Sequence, residues 1–133
     1  METTVLDVDT SRDRIVDLTP AAERFCGGHG SGLLSAFAPH ATAGLALLEL
    51  GSGSEGDLED LLERLLPRDD RYRHRHGAPG HGADHVLPAL VSPSLVVPVL
   101  DGRLALGTWQ SLVLVDLNAD NPRRSVRLSF LPA

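Results

Sequence analysis

The sequence predicts an α+β fold, in which one domain over residues 1–133 combines a mixed, largely antiparallel sheet with a few helices. Apolar and polar residues alternate with a period of two near both ends of the chain, which is typical of strands with one buried face. Between these ends lies one segment with a clear helical period. A length of 133 residues with 42% hydrophobic residues is sufficient for one buried core.

The first third of the chain is predicted to contain strands and one short helix. A helix over Ala21–Cys26 is expected because Thr19-Pro20 offers an N-cap followed by proline in the first turn. Gly27-Gly28 would end this helix. The segments predicted as strands are Thr4–Asp9, Arg14–Leu18, Gly32–Phe37 and Leu45–Leu50.

The clearest helix of the sequence begins near Ser54. Ser54 with Asp57 three residues later resembles a capping box, and Pro67 ends the helical pattern. Its apolar face is formed by leucines at Leu58, Leu61, Leu62, Leu65 and Leu66. The acidic residues lie mostly on the other side of the helix, and those near its N-terminal end interact favourably with the helix dipole. We therefore interpret them as a solvated face rather than as a site.

The second half of the chain is predicted to contain a polar loop followed by strands. Residues Arg68–Asp84 are rich in Arg, His and Gly, which predicts an irregular loop, and a short helix is expected over Asp84–Val91. The strands predicted next are Ser94–Val99, Arg103–Leu117 and Ser125–Leu131, with turns at Asp101-Gly102 and Asn121-Pro122. Pro93 and Pro98 indicate that the first of these strands lies at an edge or a bulge. Together these strands would form an antiparallel meander.

Charge and composition exclude several classes of function. Twelve Arg and no Lys stand against 18 Asp and Glu, so the formal charge is −6, which repels a nucleic-acid backbone, and a lysine Schiff base is excluded. Aromatic residues make up only 4%, too few for a row of base-stacking rings. The single cysteine, Cys26, cannot form an internal disulfide, and no apolar run approaches the roughly 18 residues of a membrane span. We therefore expect a cytoplasmic protein that binds neither nucleic acid nor a membrane.

Six histidines are present, and four of them fall within a short segment, at His74, His76, His81 and His85. Imidazole is the commonest protein ligand for zinc and similar metals, and it also titrates near neutral pH, so either property can explain the cluster. The alternative is a polar surface loop in which Arg and His alternate by composition. We favour that alternative for His76 and for the more distant His29.

Two further polar residues stand beside apolar segments. His40 follows an apolar strand and precedes the small residues Ala41-Thr42-Ala43-Gly44, which let a ligand approach the backbone, so we favour a functional role for it. Glu49 lies within the apolar segment Leu45–Leu50, where a buried carboxylate needs a partner, and it is a candidate general acid or base. The alternative is that alternation turns Glu49 to solvent, which is the interpretation that the residues alone favour.

The run Gly102–Gln110 resembles the G-R-x-x-x-G-T-W-Q signature of the YjbQ-like (secondary thiamine-phosphate synthase) family. In the same chain order, Pro39–Ala43 with Glu49 resembles the H-T-S-A segment of this family and its downstream glutamate. Shorter matches are Leu66-Pro67, Tyr72-Arg73-His74, His85, Ser94–Pro98 and Arg123-Arg124. The resemblance implies an α+β domain, a homotrimer, and a cleft near the subunit boundary where histidines surround a divalent metal, with zinc as the first candidate.

The resemblance also implies roles for individual residues. The metal ligands that it implies are His40, His74 and His85. It makes Glu49 and His40 the catalytic residues, with Glu49 as an acid/base or as a partner of a metal ligand. The ligand-binding residues that it implies are Thr42, Trp109, Gln110 and Arg124. Arg124 is suited to a phosphate, whereas a lone Trp in a strand, such as Trp109, is more often part of a core.

The chain departs from the family pattern beside these residues. The H-T-S-A segment is His40-Ala41-Thr42-Ala43 here, and the usual Asn on either side of the glutamate is replaced by Leu48 and Leu50. These changes remove hydrogen-bonding groups from beside Glu49 and keep the histidines. We therefore expect metal binding to survive even where the substrate or the activity differs.

The resemblance implies a weak thiamine-phosphate synthase activity, which joins an aminopyrimidine pyrophosphate to a thiazole phosphate with loss of pyrophosphate. One alternative is a metal-assisted hydrolase of a small phosphorylated or amide substrate, since three histidines with an open position also suit water activation. Another is a trimeric protein that binds a metal or a small molecule without turnover, which Leu48 and Leu50 slightly favour. The sequence leaves open whether His81 replaces one of the three implied ligands.

Overall fold

The computed structural model describes residues 1–133 and contains eight strands and four helices. The strands are β1 Glu2–Asp9, β2 Ile15–Asp17, β3 Gly32–Phe37, β4 Gly44–Leu48, β5 Ser94–Leu100, β6 Arg103–Leu104, β7 Ser111–Val115 and β8 Arg123–Pro132. The helices are α1 Thr19–Cys26, α2 Ser54–Leu65, α3 His81–Asp84 and α4 Leu87–Leu90. The predicted α+β class is confirmed, and none of the helices combines the length and the apolar composition needed to cross a bilayer.

The strands form two sheets, a larger one with the order β1-β8-β3-β5-β6 and a smaller one with the order β2-β7-β4. The prediction included a mixed sheet, but every pairing is antiparallel. Strand β8 runs between β1 and β3, so Phe130 lies opposite both Glu2 and Leu34. The last strand of the chain therefore joins β1 to the rest of the larger sheet.

Strand β7 lies at the centre of the molecule and is buried on both faces. Leu112 and Leu114 pack into the main core cluster with residues of the larger sheet. The alternate residues Val113 and Val115 pack into a second cluster with residues of α2, α3 and α4. A strand that is covered on both faces is apolar throughout. The packing of Val113 and Val115 against the second cluster holds its short helices on the smaller sheet.

The predicted strand Arg103–Leu117 is wrong, because the chain divides it into β6 and β7, which belong to different sheets. The two strands are separated by a tight turn. The N–H of Gln110 donates to the carbonyl of Gly107 over 3.1 Å, and the side-chain Oε1 of Gln110 accepts from the N–H of Gly107 over 2.8 Å. The predicted meander is wrong for the same reason, since β7 pairs with β2 and β4 while β8 pairs with β1 and β3.

Two helix predictions also differ from the structure. The helix expected over Asp84–Val91 is two single turns, α3 and α4, because Pro88 has no N–H to continue the hydrogen-bond ladder from α3. Helix α2 begins at Ser54 as predicted, but Ser54 does not cap it. Gly53, with φ of 100°, occupies the N-cap, and the Glu55 carboxylate accepts a hydrogen bond from the N–H of Gly51 over 3.1 Å.

The predicted hairpin turn at Asp101-Gly102 is confirmed and joins β5 to β6. Both residues have positive φ, 49° and 78°, as a two-residue hairpin turn requires. A side chain at Gly102 would also lie 2.8 Å from the carbonyl oxygen of His29. The preceding strand was predicted to lie at an edge or a bulge, but the edge strand of the larger sheet is β6, which pairs with only Val99 and Leu100 of β5.

Candidate metal centre

Four imidazoles gather beside the short helix α3. One ring nitrogen from each of His74, His76, His81 and His85 lies within 4.8 Å of the other three. The ring centroids of His74 and His85 are 3.9 Å apart, and the Nε2 atoms of His81 and His85 are 2.8 Å apart. His81 is buried, His74 and His85 are half-buried, and His76 is exposed. The group therefore runs from the protein interior to the surface.

Glycines fold the loop before α3 tightly around these rings. Gly77 has φ of 83°, and a side chain there would lie 2.9 Å from the ring of His81. A side chain at Gly82 would lie 2.8 Å from the carbonyl oxygen of His74. Glycine alone tolerates such a conformation and such close contacts, so these two positions hold the loop against α3.

A buried ion pair fixes α3 beneath the loop. Asp84 is 2% exposed, and both of its oxygens accept hydrogen bonds from the guanidinium of Arg68, with 3.0 Å between Nη2 and Oδ2. His81 and His85 are four residues apart around the same helical turn, so they lie on one face. The Arg68–Asp84 pair therefore sets the orientation of two of the four imidazoles.

The cluster contains ring nitrogens that no protein group satisfies. The Nδ1 atoms of His74 and His81 are buried, and neither makes a hydrogen bond. Asp120 Oδ2 lies 3.0 Å from Nδ1 of His81, which is an ion-pair distance, although the ring N–H is not aligned with that oxygen. Buried polar atoms are normally satisfied, so the unpartnered Nδ1 of His74 among four imidazoles indicates a place for a further ligand. This donor set fits a borderline metal such as zinc.

Burial and mutual proximity favour the neutral form of these imidazoles. Burial lowers the pKa of His74, and charges on His76 and His81 lower it further. Burial also lowers the pKa of His85, and the neighbouring histidines add to this effect while Asp84 opposes it. Since neutral imidazole is the form that binds metals, these shifts prepare the cluster for a metal at neutral pH.

We expect the metal-free protein to lose thermal stability as the pH falls through the histidine range. A histidine whose pKa is lower in the folded chain than in the unfolded chain makes protons favour unfolding. The stability is therefore complete above the ordinary pKa of about 6.5 and decreases as the pH falls towards the lowered value. Thermal unfolding in a chelator between about pH 8 and about pH 5 measures this. The decrease should be smaller in a His74→Gln/His85→Gln variant, and an equal decrease in both proteins would contradict the assignment.

His40, the first ligand implied by the family resemblance, lies outside the group of four. Its Nε2 lies 2.9 Å from the backbone nitrogen of Ser125 and 3.1 Å from the carbonyl oxygen of Ser125, so the backbone of Ser125 is the partner of this nitrogen in either tautomer. Burial lowers the pKa of His40 and the charge of Arg124 lowers it further, while the backbone of Ser125 and the charge of Asp116 oppose this shift. His40 and His85 line the same open cavity of about 590 Å³. The structure thus brings His40 near the cluster without including it.

Three other site residues expected from the resemblance are absent from the lining of the two cavities at the histidines. Glu49 follows β4 and is half-buried, while the adjacent Leu48 and Leu50 pack against the second core cluster. Trp109 is 72% exposed in the turn between β6 and β7, so it is not part of the core. Gln110 holds that turn through its bond to Gly107. The catalytic and ligand-binding roles of these residues remain predictions.

Arg124 and Thr42 are joined in a buried network. The guanidinium of Arg124 donates to both oxygens of Asp116, over 2.7 Å from Nε and 3.0 Å from Nη2. Nη2 also donates to the hydroxyl oxygen of Thr42 over 2.7 Å, and the amide of Asn118 donates to that oxygen over 3.4 Å. All four residues are buried. The phosphate role of Arg124 remains a prediction that this geometry does not favour, because Asp116 already neutralises the guanidinium.

The sequence left the role of His81 open and gave no indication of Asp120. The spacing of His81 and His85 is a usable signal, because positions four apart share one face of a helix. It was missed because the predicted helix began only at Asp84. Asp120 follows the β7 strand, and its contact with His81 arises from tertiary structure alone.

The fold and the site together define a small antiparallel α+β protein with a histidine-lined centre on its smaller sheet. The chain belongs to the family described as "UPF0047 protein YjbQ-like", whose family model matches residues 4–133. A UPF0047 protein of Mycobacterium tuberculosis is 68% identical over 131 residues, which cover 98% of each chain. A UPF0047 protein of Archaeoglobus fulgidus is 36% identical over 86% of this chain and 90% of its own.

Solved structures share the fold over nearly the whole chain. A hypothetical protein of Aeropyrum pernix is similar with a TM-score of 0.90, at 29% identity and 100% coverage of both chains. A Sulfolobus solfataricus protein, described as YbjQ-like and of unknown function, has a TM-score of 0.91 at 24% identity and covers 99% of this chain and 97% of its own. The family and the fold predicted from the sequence are thus confirmed, whereas an activity does not follow from these relatives.

Proposed function

We propose that the protein binds a divalent metal, zinc in the first instance, through His74, His81 and His85, and that this centre acts on a small phosphorylated ligand. One observation carries the proposal: four imidazole nitrogens lie within 4.8 Å of one another, and the buried Nδ1 of His74 has no hydrogen-bond partner. The ligand set keeps two histidines implied by the family resemblance and replaces His40 by His81. His40 is replaced because it lies outside the group of four imidazoles, with its Nε2 held by the backbone of Ser125.

The exposed His76 is proposed not to bind the metal, which leaves one coordination position of the metal open. Buried and half-buried imidazoles lose little freedom on binding a metal, whereas an exposed one must be ordered first. Three histidines with an open position are typical of catalytic zinc, which polarises phosphoryl oxygens or lowers the pKa of bound water. Four histidine ligands would instead close the site.

One guanidinium next to the histidines, that of Arg75, supports a phosphorylated ligand, in a cavity that Asp69 and Asp70 also line. Arg75 lines a cavity of about 290 Å³ together with His74, His76 and His81. The guanidinium of Arg75 donates one hydrogen bond, from Nε to the carbonyl of Tyr72, so its terminal nitrogens remain available for an anion. In this proposal Arg75 takes the phosphate-binding role that the family resemblance gives to Arg124.

The proposed assembly is a homotrimer, as the family resemblance implies. Its support here is an apolar patch on the outer face of the larger sheet, where Leu33 lies opposite both Leu131 and Pro98. Side chains of this face that are between 42% and 59% exposed are Leu33, Phe37, Val96, Leu100 and Leu131. An apolar patch of this kind is typical of a protein interface. The mass of the protein in solution tests the trimer.

The proposal is tested first by metal content. Tag-free protein, incubated with zinc and freed of excess metal, should contain about one ion per chain by elemental mass spectrometry. His74→Ala, His81→Ala and His85→Ala should each abolish this binding, whereas His40→Ala and His76→Ala should keep it. Absence of metal in the unaltered protein would overturn the proposal. Loss of metal in His40→Ala but not in His81→Ala would restore the ligand set implied by the resemblance.

The activity is tested with the substrates that the resemblance implies. The zinc-loaded protein is incubated with an aminopyrimidine pyrophosphate and a thiazole phosphate, and the products are separated by chromatography, with His85→Ala as the control. Thiamine phosphate and pyrophosphate together would support a transferase. Release of phosphate alone would support the hydrolase.

A binding protein without turnover is the second candidate, and the burial of Arg124 and Thr42 favours it. Arg124 is hydrogen-bonded to Thr42 and to Asp116 inside the protein, so the side chains of Arg124 and Thr42 are not available to bind a substrate. This candidate is supported if the protein holds metal but yields neither product.

A further inference from the structure

Asp120, in the loop between β7 and β8, lies beside the buried ring of His81. We propose that Asp120 is a positioning residue of the metal centre, whose carboxylate keeps the proton of His81 on Nδ1 and so leaves Nε2 to bind the metal. This inference rests on the proposed function and deepens it. It adds to the centre a residue from a separate loop of the chain, which neither the histidine spacing nor the family signature indicates.

Two carboxylates lie near Nδ1 of His81, and they differ in what else they bind. Oδ2 of Asp84 is 3.8 Å away, beyond hydrogen-bond distance, and both Asp84 oxygens already accept from Arg68. Oδ2 of Asp120 is 3.0 Å away. Asp120 is therefore the carboxylate that can act on the ring of His81.

The position of the proton follows from the chemistry of the contact. A neutral imidazole carries one proton, and if it were on Nε2, the bare Nδ1 would face a carboxylate oxygen at 3.0 Å in a buried place. Two acceptors in such contact repel each other, and the low local dielectric strengthens this repulsion. A proton on Nδ1 converts the contact into an attraction.

The same assignment explains the contact between His81 and His85. Their Nε2 atoms are 2.8 Å apart, so one must donate and the other accept. With the proton of His81 on Nδ1, its Nε2 is the acceptor and Nε2 of His85 is the donor. The Nε2 lone pair of His81 therefore points into the cluster, where Nε2 of His85 would also bind a metal once the proton of His85 has moved to its Nδ1.

The carboxylate of Asp120 is itself held in place. Its Oδ2 accepts a 3.1 Å hydrogen bond from the N–H of Ala78, in the histidine loop, and its own N–H donates to Oδ1 of Asn118 over 3.1 Å. Gly77 makes this approach possible, because a side chain there would lie 2.9 Å from Oδ2 of Asp120. A fixed carboxylate behind a metal-binding histidine orients the ring and increases its basicity.

The first test uses the metal-free protein and does not depend on metal binding. Long-range ¹H–¹⁵N correlation NMR spectra of the full chain distinguish the two neutral tautomers of His81. The Nδ1–H form is expected in the unaltered protein, and a shift towards the Nε2–H form is expected in Asp120→Ala. The Nε2–H form in the unaltered protein would overturn the inference.

The second test measures zinc affinity by competition with a chromogenic chelator. Asp120→Ala should weaken zinc binding by about 10-fold or more, the usual effect of removing such a partner. Asp120→Asn should weaken it less, because its amide oxygen can still accept both hydrogen bonds. The matched control is Asp70→Asn. Asp70 is an exposed residue that lines the same cavity as His74, His76 and His81, so this variant removes one nearby charge and should leave the zinc affinity unchanged.

The outcomes separate this inference from the proposed function. If the unaltered protein binds no zinc, the proposed function fails and the NMR tautomer still decides the role of Asp120. If it binds zinc and Asp120→Ala binds it equally well, the inference fails and the proposed function stands. If Asp70→Asn weakens binding as much as Asp120→Asn, general charge rather than contact with His81 is responsible, which also overturns the inference.

Discussion

Replacement of Arg124 by Met is expected to lower the free energy of unfolding by about 3–5 kcal/mol, because it leaves the Asp116 carboxylate buried without its counterion. Asp116 is 1% exposed and Arg124 is 5% exposed, so water cannot take the place of the guanidinium. In a chain of 133 residues this loss lowers the melting temperature by about 11–18 °C. Thermal and urea unfolding of Arg124→Met beside the unaltered protein measure the effect.

The size of this effect depends on the buried charge rather than on the number of contacts. Without Arg124, the Asp116 carboxylate keeps hydrogen bonds from the hydroxyl of Thr10 at 2.7 Å and the N–H of Asn118 at 3.0 Å. Two neutral donors do not compensate a buried negative charge. Asp116→Asn in the Arg124→Met background should therefore recover part of the lost stability, since it removes the buried charge while its amide oxygen still accepts one of these two bonds.

The adjacent Arg123 provides a matched control for this prediction. Arg123 is exposed, so Arg123→Met should change the free energy of unfolding by less than about 0.5 kcal/mol. A destabilisation of Arg124→Met below about 1 kcal/mol would contradict the role of the buried pair. The same result would reopen the phosphate-binding role that the family resemblance gives to Arg124.

Sequence periodicity predicted the elements whose environment is local. Strand β3 has the predicted bounds Gly32–Phe37, and α2 begins at the predicted residue Ser54. The break between β6 and β7 falls at Gly107–Gln110, which interrupts the apolar residues, but the local pattern does not reveal that the chain changes sheets there. The place of β8 between β1 and β3 was likewise beyond local patterns, since it depends on pairing between the two ends of the chain.

The candidate site was predictable where its residues are close in sequence. The density of histidines between His74 and His85 indicated the cluster, and the structure brings their imidazoles together. What the spacing could not supply is the distinction between His40 and His81, because it depends on the hydrogen bond of His40 to Ser125 in β8. The sequence likewise could not indicate Asp120, because its contact with His81 depends on the packing of β7 under α3.

Replacement of Gly44 by Ala is expected to destabilise the protein by about 3 kcal/mol or more, because the first residue of β4 lies against the chain between α4 and β5. A Cβ at this position would be 2.0 Å from the carbonyl oxygen of Val91 and 2.8 Å from its carbonyl carbon. The clash is with backbone, so no rotamer change can relieve it. Relief would require separation of the two segments, which breaks the 2.7 Å hydrogen bond from the N–H of Leu45 to the carbonyl of Ser92.

Two further variants test whether the backbone clash is the cause. Gly44→Ala/Val91→Ala should remain as unstable as Gly44→Ala, since trimming the side chain of Val91 leaves its carbonyl in place. Gly56→Ala in α2, where an added Cβ meets nothing within 4 Å, should instead stabilise the protein by about 0.5–1 kcal/mol. Urea unfolding compares the four proteins. Rescue by Val91→Ala would show that side-chain packing, rather than the approach of β4 to the α4–β5 connection, makes glycine necessary at position 44.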